Sequence, residues 1–242
     1  MSGYKKIGVD VGGTFTDFVL VDEERRVIFT GKQLTSASNP GIAICEGVER
    51  IATKSGLRID QLSGIVHGTT LVTNTIIERN GAMVGLITTR GFRDVLEVGH
   101  EMRYDLYDLF IEKPEPLVPR ERRLTVTERI DRDGDVLKTL NENEVICAGK
   151  ELVDQGVDVI AICFINAYLN PEHEMRAVEL LNKHFPNMPI TASTVVVPEI
   201  REYERACTVT ANAYVLPRMR GYISDLEQKL VDMGLNGPLN VM

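Results

Sequence analysis

What most constrains this chain is a pair of glycines set between two strand-like runs. In Ile7-Gly8-Val9-Asp10-Val11-Gly12-Gly13-Thr14-Phe15-Thr16-Asp17 the residues ahead of the turn alternate apolar with small or polar. Behind it, Phe18-Val19-Leu20-Val21 is strand-like again. A dinucleotide fold puts its glycine-rich turn between a strand and a helix, and a P-loop needs Gly-Lys-Ser/Thr; neither pattern is met here. What remains is a glycine hairpin. Gly12 and Gly13 place no Cβ in the way, so successive backbone N–H groups can approach phosphate oxygens as a nest. Thr14 and Thr16 add hydroxyls, and Asp10 sits at the strand end, where a carboxylate can hold Mg²⁺ through water. The same residues also suit a plain tight turn whose Asp and Thr side chains satisfy their own backbone. Asp10 and Asp17 flanking the loop tilt the balance toward a metal nucleotide.

The rest of the chain reads as alternating strands and helices. A third strand over 26–30 follows the acidic turn Asp22-Glu23-Glu24-Arg25, making a meander. A helix then opens with Asn39 as N-cap and Pro40 at its first position, buries Ile44, Val48 and Ile51, and stops at Gly56. A strand over 64–68, a helix over 69–79 leaving through a left-handed Asn80-Gly81, and a strand over 84–88 complete an α/β layered pattern. Residues 91–120 look irregular, with the repeats Tyr104-Asp105-Leu106 and Tyr107-Asp108-Leu109 followed by Pro114, Pro116 and Pro119. A hairpin turning at 131–134 leads into a second α/β stretch. Asn141 with Glu144 spells a capping box, the helix it opens ends near Gly156, 158–164 is an apolar strand, and a helix runs from Asn170-Pro171-Glu172 to about His184. Pro198 marks a boundary, after which 199–233 reads as one or two long helices. The run 237–242 reads as the opening of a strand, which gives the expectation of a chain cut before its natural end.

Composition closes off several functions. Among 242 residues, 35 Asp and Glu against 27 Lys and Arg leave a net charge of −8, which argues against nucleic-acid or anionic-membrane partners. The four cysteines have no CxxC spacing and no Cys/His cluster, so no zinc site is expected, and Cys163 lies in the apolar run Val159-Ile160-Ala161-Ile162-Cys163-Phe164 as a core thiol. Neither a signal-peptide pattern nor a bilayer-length apolar run is seen, so the expected location is the cytoplasm with reduced thiols.

Other residues carry chemistry in clusters. His67 closes a strand where Thr69 opens a helix, a junction where backbone N–H groups attract anions. Thr69, Thr70, Thr73 and Asn74 make a polar stripe opposite Val72, Ile76 and Ile77; it serves either as a wall reaching substrate or as a capped, solvated face. His67 is either an acid/base group or a core histidine held by backbone. His100 lies in the irregular segment, while His173 and His184 are expected to be solvated on a surface helix. Glu97, His100, Glu101, Arg103, Tyr104 and Tyr107 form either a substrate lid or a solvated loop. Glu199, Arg201, Glu202 and Arg205 suit helix-surface ion pairs.

Four ordered stretches carry a family resemblance. The residues Ile7 to Asp17 quoted above resemble the first phosphate motif of the actin/sugar-kinase/Hsp70 nucleotide-binding superfamily. With His67-Gly68-Thr69-Thr70-Leu71-Val72-Thr73-Asn74, Gly91-Phe92-Arg93-Asp94-Val95-Leu96-Glu97 and Pro198-Glu199-Ile200-Arg201-Glu202-Tyr203-Glu204-Arg205, the chain looks like the N-terminal region of the hydantoinase/5-oxoprolinase family, relatives of the acetone carboxylase beta subunit. The resemblance implies an α/β, ribonuclease H-like (actin-like ATPase) mixed sheet with flanking helices, plus a second α/β stretch and C-terminal helices. By family region it divides the chain into 1–196, the hydantoinase/oxoprolinase N-terminal region, and 197–242, the truncated helical start of the following hydantoinase A domain. Family members are longer and use a second Gly-Gly-Thr loop; this sequence has one Gly-Gly pair, hence half a nucleotide cleft.

The implied activity is an ATP-dependent amidohydrolase opening a hydantoin, 5-oxoproline or related lactam. The alternatives are a subunit of an ATP-dependent ketone carboxylase and a nucleotide-incompetent assembly domain. The implied cofactors are ATP and Mg²⁺, and the implied partners a hydantoinase-B-type subunit or domain and an oligomeric full-length form. By the same resemblance Asp10, Asp17 and His67 are catalytic, with Asp10 the metal ligand. Gly12, Gly13, Thr14, Phe15 and Thr16 bind cofactor, and Gly68, Thr69, Thr70, Thr73, Asn74, Arg103, Glu199 and Arg201 bind substrate.

Overall fold

A computed structural model describes residues 4–35, 40–100, 107–112 and 114–242. In chain order the elements are β1 (Lys5–Val11), β2 (Phe15–Asp22), β3 (Val27–Leu34), α1 (Pro40–Ser55), β4 (Gly64–Thr69), α2 (Leu71–Ile77), β5 (Val84–Thr89) and α3 (Val95–Val98). They continue with β6 (Arg123–Val126), β7 (Arg129–Ile130), β8 (Val136–Lys138), α4 (Glu142–Asp154), β9 (Val159–Cys163) and α5 (Glu172–His184). β10 (Ile190–Ala192), α6 (Ser193–Val196), α7 (Glu202–Asp232) and β11 (Leu239–Val241) complete the chain. They form two compact units: residues 1–79 with 218–242, and residues 80–217. The division at 196/197 is one of family region, and neither unit ends there.

The first unit is a mixed five-stranded sheet in the order β11-β4-β1-β2-β3. The meander β1-β2-β3 is antiparallel, whereas β4 and β11 run parallel to β1. One face is apolar because the strands alternate: Ile7, Val9, Phe18, Leu20 and Ile65 turn inward against α1 and against Leu226 and Leu230 of α7. Gly47 of α1 sits directly on the Phe18 ring, where a Cβ would lie 2.0 Å from Cζ, so only glycine permits this approach. The 22–25 turn forms as expected, closed by the Asp22 carboxylate accepting from the Arg25 amide at 3.0 Å. Gly56 ends α1 in a left-handed conformation (φ 71°). The expected N-cap Asn39 lies outside the described residues.

Residues 80–217 carry a wholly parallel sheet, β10-β9-β5-β6, with α4 and α5 on the core around Ile87, Ile160, Leu152 and Leu181. Every residue of β5 and β9 is buried, as the unbroken apolar runs of a parallel sheet require. The hairpin β7–β8 forms at the expected turn, with Gly134 at φ 90°. The motif at 91–97 pins its short α3: Asp94 receives Arg120 at 2.7 Å and Glu97 receives the buried Arg123 at 2.9 Å. α7 carries Pro217 inside it, which cannot donate to the Ala213 carbonyl, and the boundary between the units falls at this residue.

Four local expectations are corrected. α2 is shorter than 69–79, and its left-handed exit is Arg79 (φ 54°) rather than Asn80-Gly81. Its faces are turned as well: Thr75 is buried, its hydroxyl bonding back to the Leu71 carbonyl at 2.7 Å, while Ile77 is exposed. Asn141 caps α4, but Glu144 does not close the box; its carboxylate accepts from the Thr127 amide at 2.6 Å instead. His173 is buried rather than solvated, its Nδ1 2.8 Å from the equally buried Glu128, because α5 turns that side toward the sheet.

Candidate functional site

The glycine hairpin is built by hydrogen bonds that divide its residues between structure and open space. The Gly12 amide donates to the Phe15 carbonyl at 3.0 Å, and the Thr35 amide to the Thr14 carbonyl at 2.9 Å. The Thr35 hydroxyl donates its single hydrogen to the Gly12 carbonyl at 2.9 Å, so the buried Thr16 hydroxyl, 2.9 Å away, is the donor in the pair they form. Gly12 and Thr16 therefore hold the turn. Among the described residues the Gly13 and Thr14 amides donate to no protein group. A Cβ on Gly12 would meet the Phe15 carbonyl at 3.0 Å, whereas one on Gly13 would meet nothing within 4 Å.

This turn opens onto a cleft of about 430 Å³ within the first unit, lined by Val11, Gly12, Gly13, Thr35, Thr69, Thr70, Leu71, Asn74, Glu78, Arg218 and Tyr222. The cleft thus unites five expected residues: Gly12, Gly13, Thr69, Thr70 and Asn74. At its start, α2 has the Leu71 amide engaged by the Thr69 hydroxyl at 3.2 Å. The Asn74 amide group lies 3.4 Å from the Thr70 hydroxyl, tying the two cleft side chains together.

Other expected residues lie elsewhere. Strand alternation puts Asp10 on the sheet face opposite Val11, exposed, with Asp17 as its cross-strand neighbour. The Asp17 carboxylate is 3.2 Å from Lys32 Nζ, and Lys32 also lies over the Phe15 ring. Gly68 is beside Asp10; a Cβ there would sit 3.3 Å from its Oδ1, so the glycine leaves room next to that carboxylate. No group of three His, Cys, Asp or Glu side chains that could hold a metal ion occurs among the described residues. Thr73 is exposed outside the cleft lining. Glu199 and Arg201 belong to the 80–217 unit, where Arg201, at φ 82°, pairs with Glu204 at 3.4 Å. His100 is in that unit too, 3.4 Å from Glu204 and edge-on to Tyr203. Arg103, Glu101 and Tyr104 lie outside the described residues.

His67 is completely buried and meets the cleft through a residue the sequence reading missed. Its Nε2 is 2.7 Å from the Tyr222 hydroxyl, and Tyr222 lines the cleft. Burial pushes the His67 imidazole below its usual range, against the opposing pull of the Val9 carbonyl and the Asp10 charge. Burial, with a smaller push from Cys45, raises the Tyr222 phenol to about 12. The pairing spans 155 positions; the only local signal was Arg218 and Tyr222 four apart on one helix face.

The family described as the hydantoinase/oxoprolinase N-terminal region matches residues 6–185. The chain is 33% identical over 239 residues to the caprolactamase subunit alpha of Pseudomonas jessenii, covering 96% of this chain and 34% of that one. It is also 33% identical over 249 residues to the acetophenone carboxylase gamma subunit of Aromatoleum aromaticum, again covering 96% and 34%. The crystal structure of the ATP-dependent caprolactamase from Pseudomonas jessenii superposes with a TM-score of 0.89 at 32% identity, over 98% of this chain and 35% of that one. The fold is therefore the actin-like ATPase type. The chain spans about a third of the length of the curated relatives it matches, both named as subunits. No helix among the described residues is long and apolar enough to cross a membrane.

Proposed function

Because the chain belongs to the hydantoinase/oxoprolinase family, we propose that it supplies one half of the nucleotide cleft of an ATP-dependent enzyme that opens a cyclic amide. The observation that carries this is the open pair of amides at Gly13 and Thr14 beside a cleft walled by Thr69, Thr70 and Asn74. Those amides, with the Thr14 hydroxyl, would cradle a phosphate, and Asp10 would hold Mg²⁺ through water, where the ion neutralises phosphate charge. Asp17 would orient a donor or water from the neighbouring strand. Gly68, Thr73, Glu199, Arg201 and Arg103 remain candidates for substrate contact, and Phe15 for the rim of the nucleotide site.

The chemistry fits a cyclic amide because resonance makes its carbonyl a poor electrophile. Transfer of the γ-phosphoryl group to the amide oxygen, releasing ADP, makes the amide carbon electrophilic. Water adds there, the ring C–N bond breaks with the nitrogen leaving as a protonated amine, and hydrolysis of the resulting acyl phosphate frees the carboxylate and inorganic phosphate. Positioning and charge stabilisation do this work more than covalent chemistry. The caprolactamase relative acts by name on such a ring. A second reading, a ketone carboxylase subunit with an enol phosphate in place of the activated amide, rests on the equal identity to the acetophenone carboxylase subunit. In either case we place the protein in the cytoplasm, in an oligomer with a hydantoinase-B-type subunit or domain.

Calorimetry of this chain with Mg-ATP tests the cleft: saturable binding is expected, and its absence here and in the intact enzyme favours an assembly role. Offering the intact enzyme hydantoin, 5-oxoproline, a lactam, or a ketone with bicarbonate separates the chemistries. ATP-dependent phosphate release only with the last rules out the amidohydrolase.

A further inference from the structure

The cleft has two chemically different walls. At the hairpin, Gly13 lines the cleft with an amide that donates to no protein group among the described residues, and Thr14 beside it has another. The character of the wall at Tyr222 depends on which way one proton points, and His67 decides it. Nε2 of His67 is 2.7 Å from the Tyr222 oxygen, so either the phenol donates to the imidazole or the reverse. His67 is wholly enclosed beside Val9, its cross-strand neighbour, and among the described residues no acid is in hydrogen-bond contact with it. Such a ring is neutral and carries one proton. Nδ1 has no hydrogen-bond partner among the described residues, and the neighbouring Val9 backbone favours the ring's protonated form. In the Nε2–Tyr222 pair the phenol is the stronger acid and the imidazole nitrogen the stronger base, so O–H···N is the favoured arrangement. The proton therefore belongs on Nδ1, Nε2 is bare, and the phenol hydrogen points inward to it. Among the described residues the Tyr222 oxygen has no second partner, so its lone pairs are left for the cleft.

We propose that Tyr222 is the hydrogen-bond acceptor of this cleft, held in that polarity by His67 as a positioning residue. This wall then takes a ligand O–H or N–H and turns away anionic oxygens. The inference rests on the cleft being the nucleotide and substrate site, and it names what that site selects: a ligand whose phosphate lies at Gly13 and Thr14 and whose hydroxyl or amide N–H reaches Tyr222. A nucleoside hydroxyl and the N–H of a cyclic amide share this chemistry.

Two measurements on the full chain decide it. In ¹⁵N-histidine-labelled protein at neutral pH, His67 is expected to show a protonated Nδ1 and an unprotonated Nε2; the opposite tautomer overturns the proposal whatever binds. By calorimetry with Mg²⁺, ATP is compared with its 2′-deoxy and 3′-deoxy analogues, and a lactam with its N-methyl derivative. The wild type should discriminate against one donor-lacking analogue by about three- to tenfold, and Tyr222→Phe should erase that difference. His67→Gln, which keeps an acceptor, should preserve it, and His67→Leu should lose it. The analogue affected identifies the donor. Discrimination that survives Tyr222→Phe, or none at all, overturns the acceptor role alone. A wild type that binds no probe brings down the cleft reading with it.

Discussion

Gly12 and Gly13 are neighbours in sequence, but the structure assigns them different work, and alanine at each separates the two. A methyl on Gly13 meets nothing within 4 Å and the residue is not in a left-handed conformation, so Gly13→Ala should fold as well as the parent or gain about 0.4–1 kcal/mol from a stiffer unfolded chain. The same methyl would stand where a phosphate must approach the Gly13 and Thr14 amides. Loss of one charge-assisted hydrogen bond, about 1.5–3 kcal/mol, corresponds to roughly ten- to a hundredfold in Mg-ATP affinity. Gly12→Ala has the opposite signature. Its methyl would press on the Phe15 carbonyl at 3.0 Å, the acceptor of the bond that closes the turn, at a cost of about 1–3 kcal/mol. Urea melts and calorimetry on both variants give the readout. Gly13→Ala binding Mg-ATP like the parent, with its fold intact, would refute the cradle.

Other parts of the structure give independent expectations. Gly47→Ala places a Cβ 2.0 Å from the buried Phe18 ring and should destabilise by about 1–3 kcal/mol, with Phe18→Leu recovering part of the loss; an unchanged melting temperature contradicts this packing. Glu174 is buried, and its carboxylate accepts from the Phe164 amide at 2.7 Å, the Ser193 hydroxyl at 2.7 Å and the Thr194 amide at 2.9 Å. Glu174→Ala strands those donors and should cost at least about 3 kcal/mol in a urea melt, Glu174→Gln less. The Tyr222 phenol lies above its ordinary 10.0, at about 12. The folded state therefore keeps a proton the unfolded chain releases, and stability that is full below pH 10 should fall as pH rises toward 12, less so in Tyr222→Phe. The lowered His67 works at the other end: the unfolded chain takes up the proton first, so stability should fall as pH drops below 6.5, and His67→Gln should flatten that slope.

The elements that local pattern controls were legible in the sequence. The meander around the glycine turn, the stop of α1 at Gly56 and the all-apolar β5 and β9 follow from alternation, capping and burial on both faces. Chemistry that depends on distant pairing was not. Tyr222 reaches His67 across 155 residues, and β11 adds itself to β4 from the far end of the chain, so the first unit is assembled from two separated segments. A seven-residue helix is too short for periodicity to fix its faces, which is why Ile77, expected on the apolar side, is exposed while Thr75 is buried. His173 read as polar and therefore solvated, yet a buried Glu128 supplies the partner that makes its burial tolerable. The glycine hairpin itself was legible, but only the folded structure shows that the Gly12 amide and Thr16 hydroxyl belong to the turn.

A nucleotide phosphate received by the amides of Gly13 and Thr14 should change their surroundings more than those of any other residue in the turn. Backbone amide shifts in ¹⁵N-labelled protein, followed during a Mg-ATP titration, address it residue by residue. Saturable shifts are expected at Gly13 and Thr14, with Gly12, already bonded to Phe15, moving far less. Saturation centred instead on the basic hollow of Lys32, Arg50 and Lys54, with Gly13 and Thr14 unmoved, would contradict phosphate binding at the hairpin.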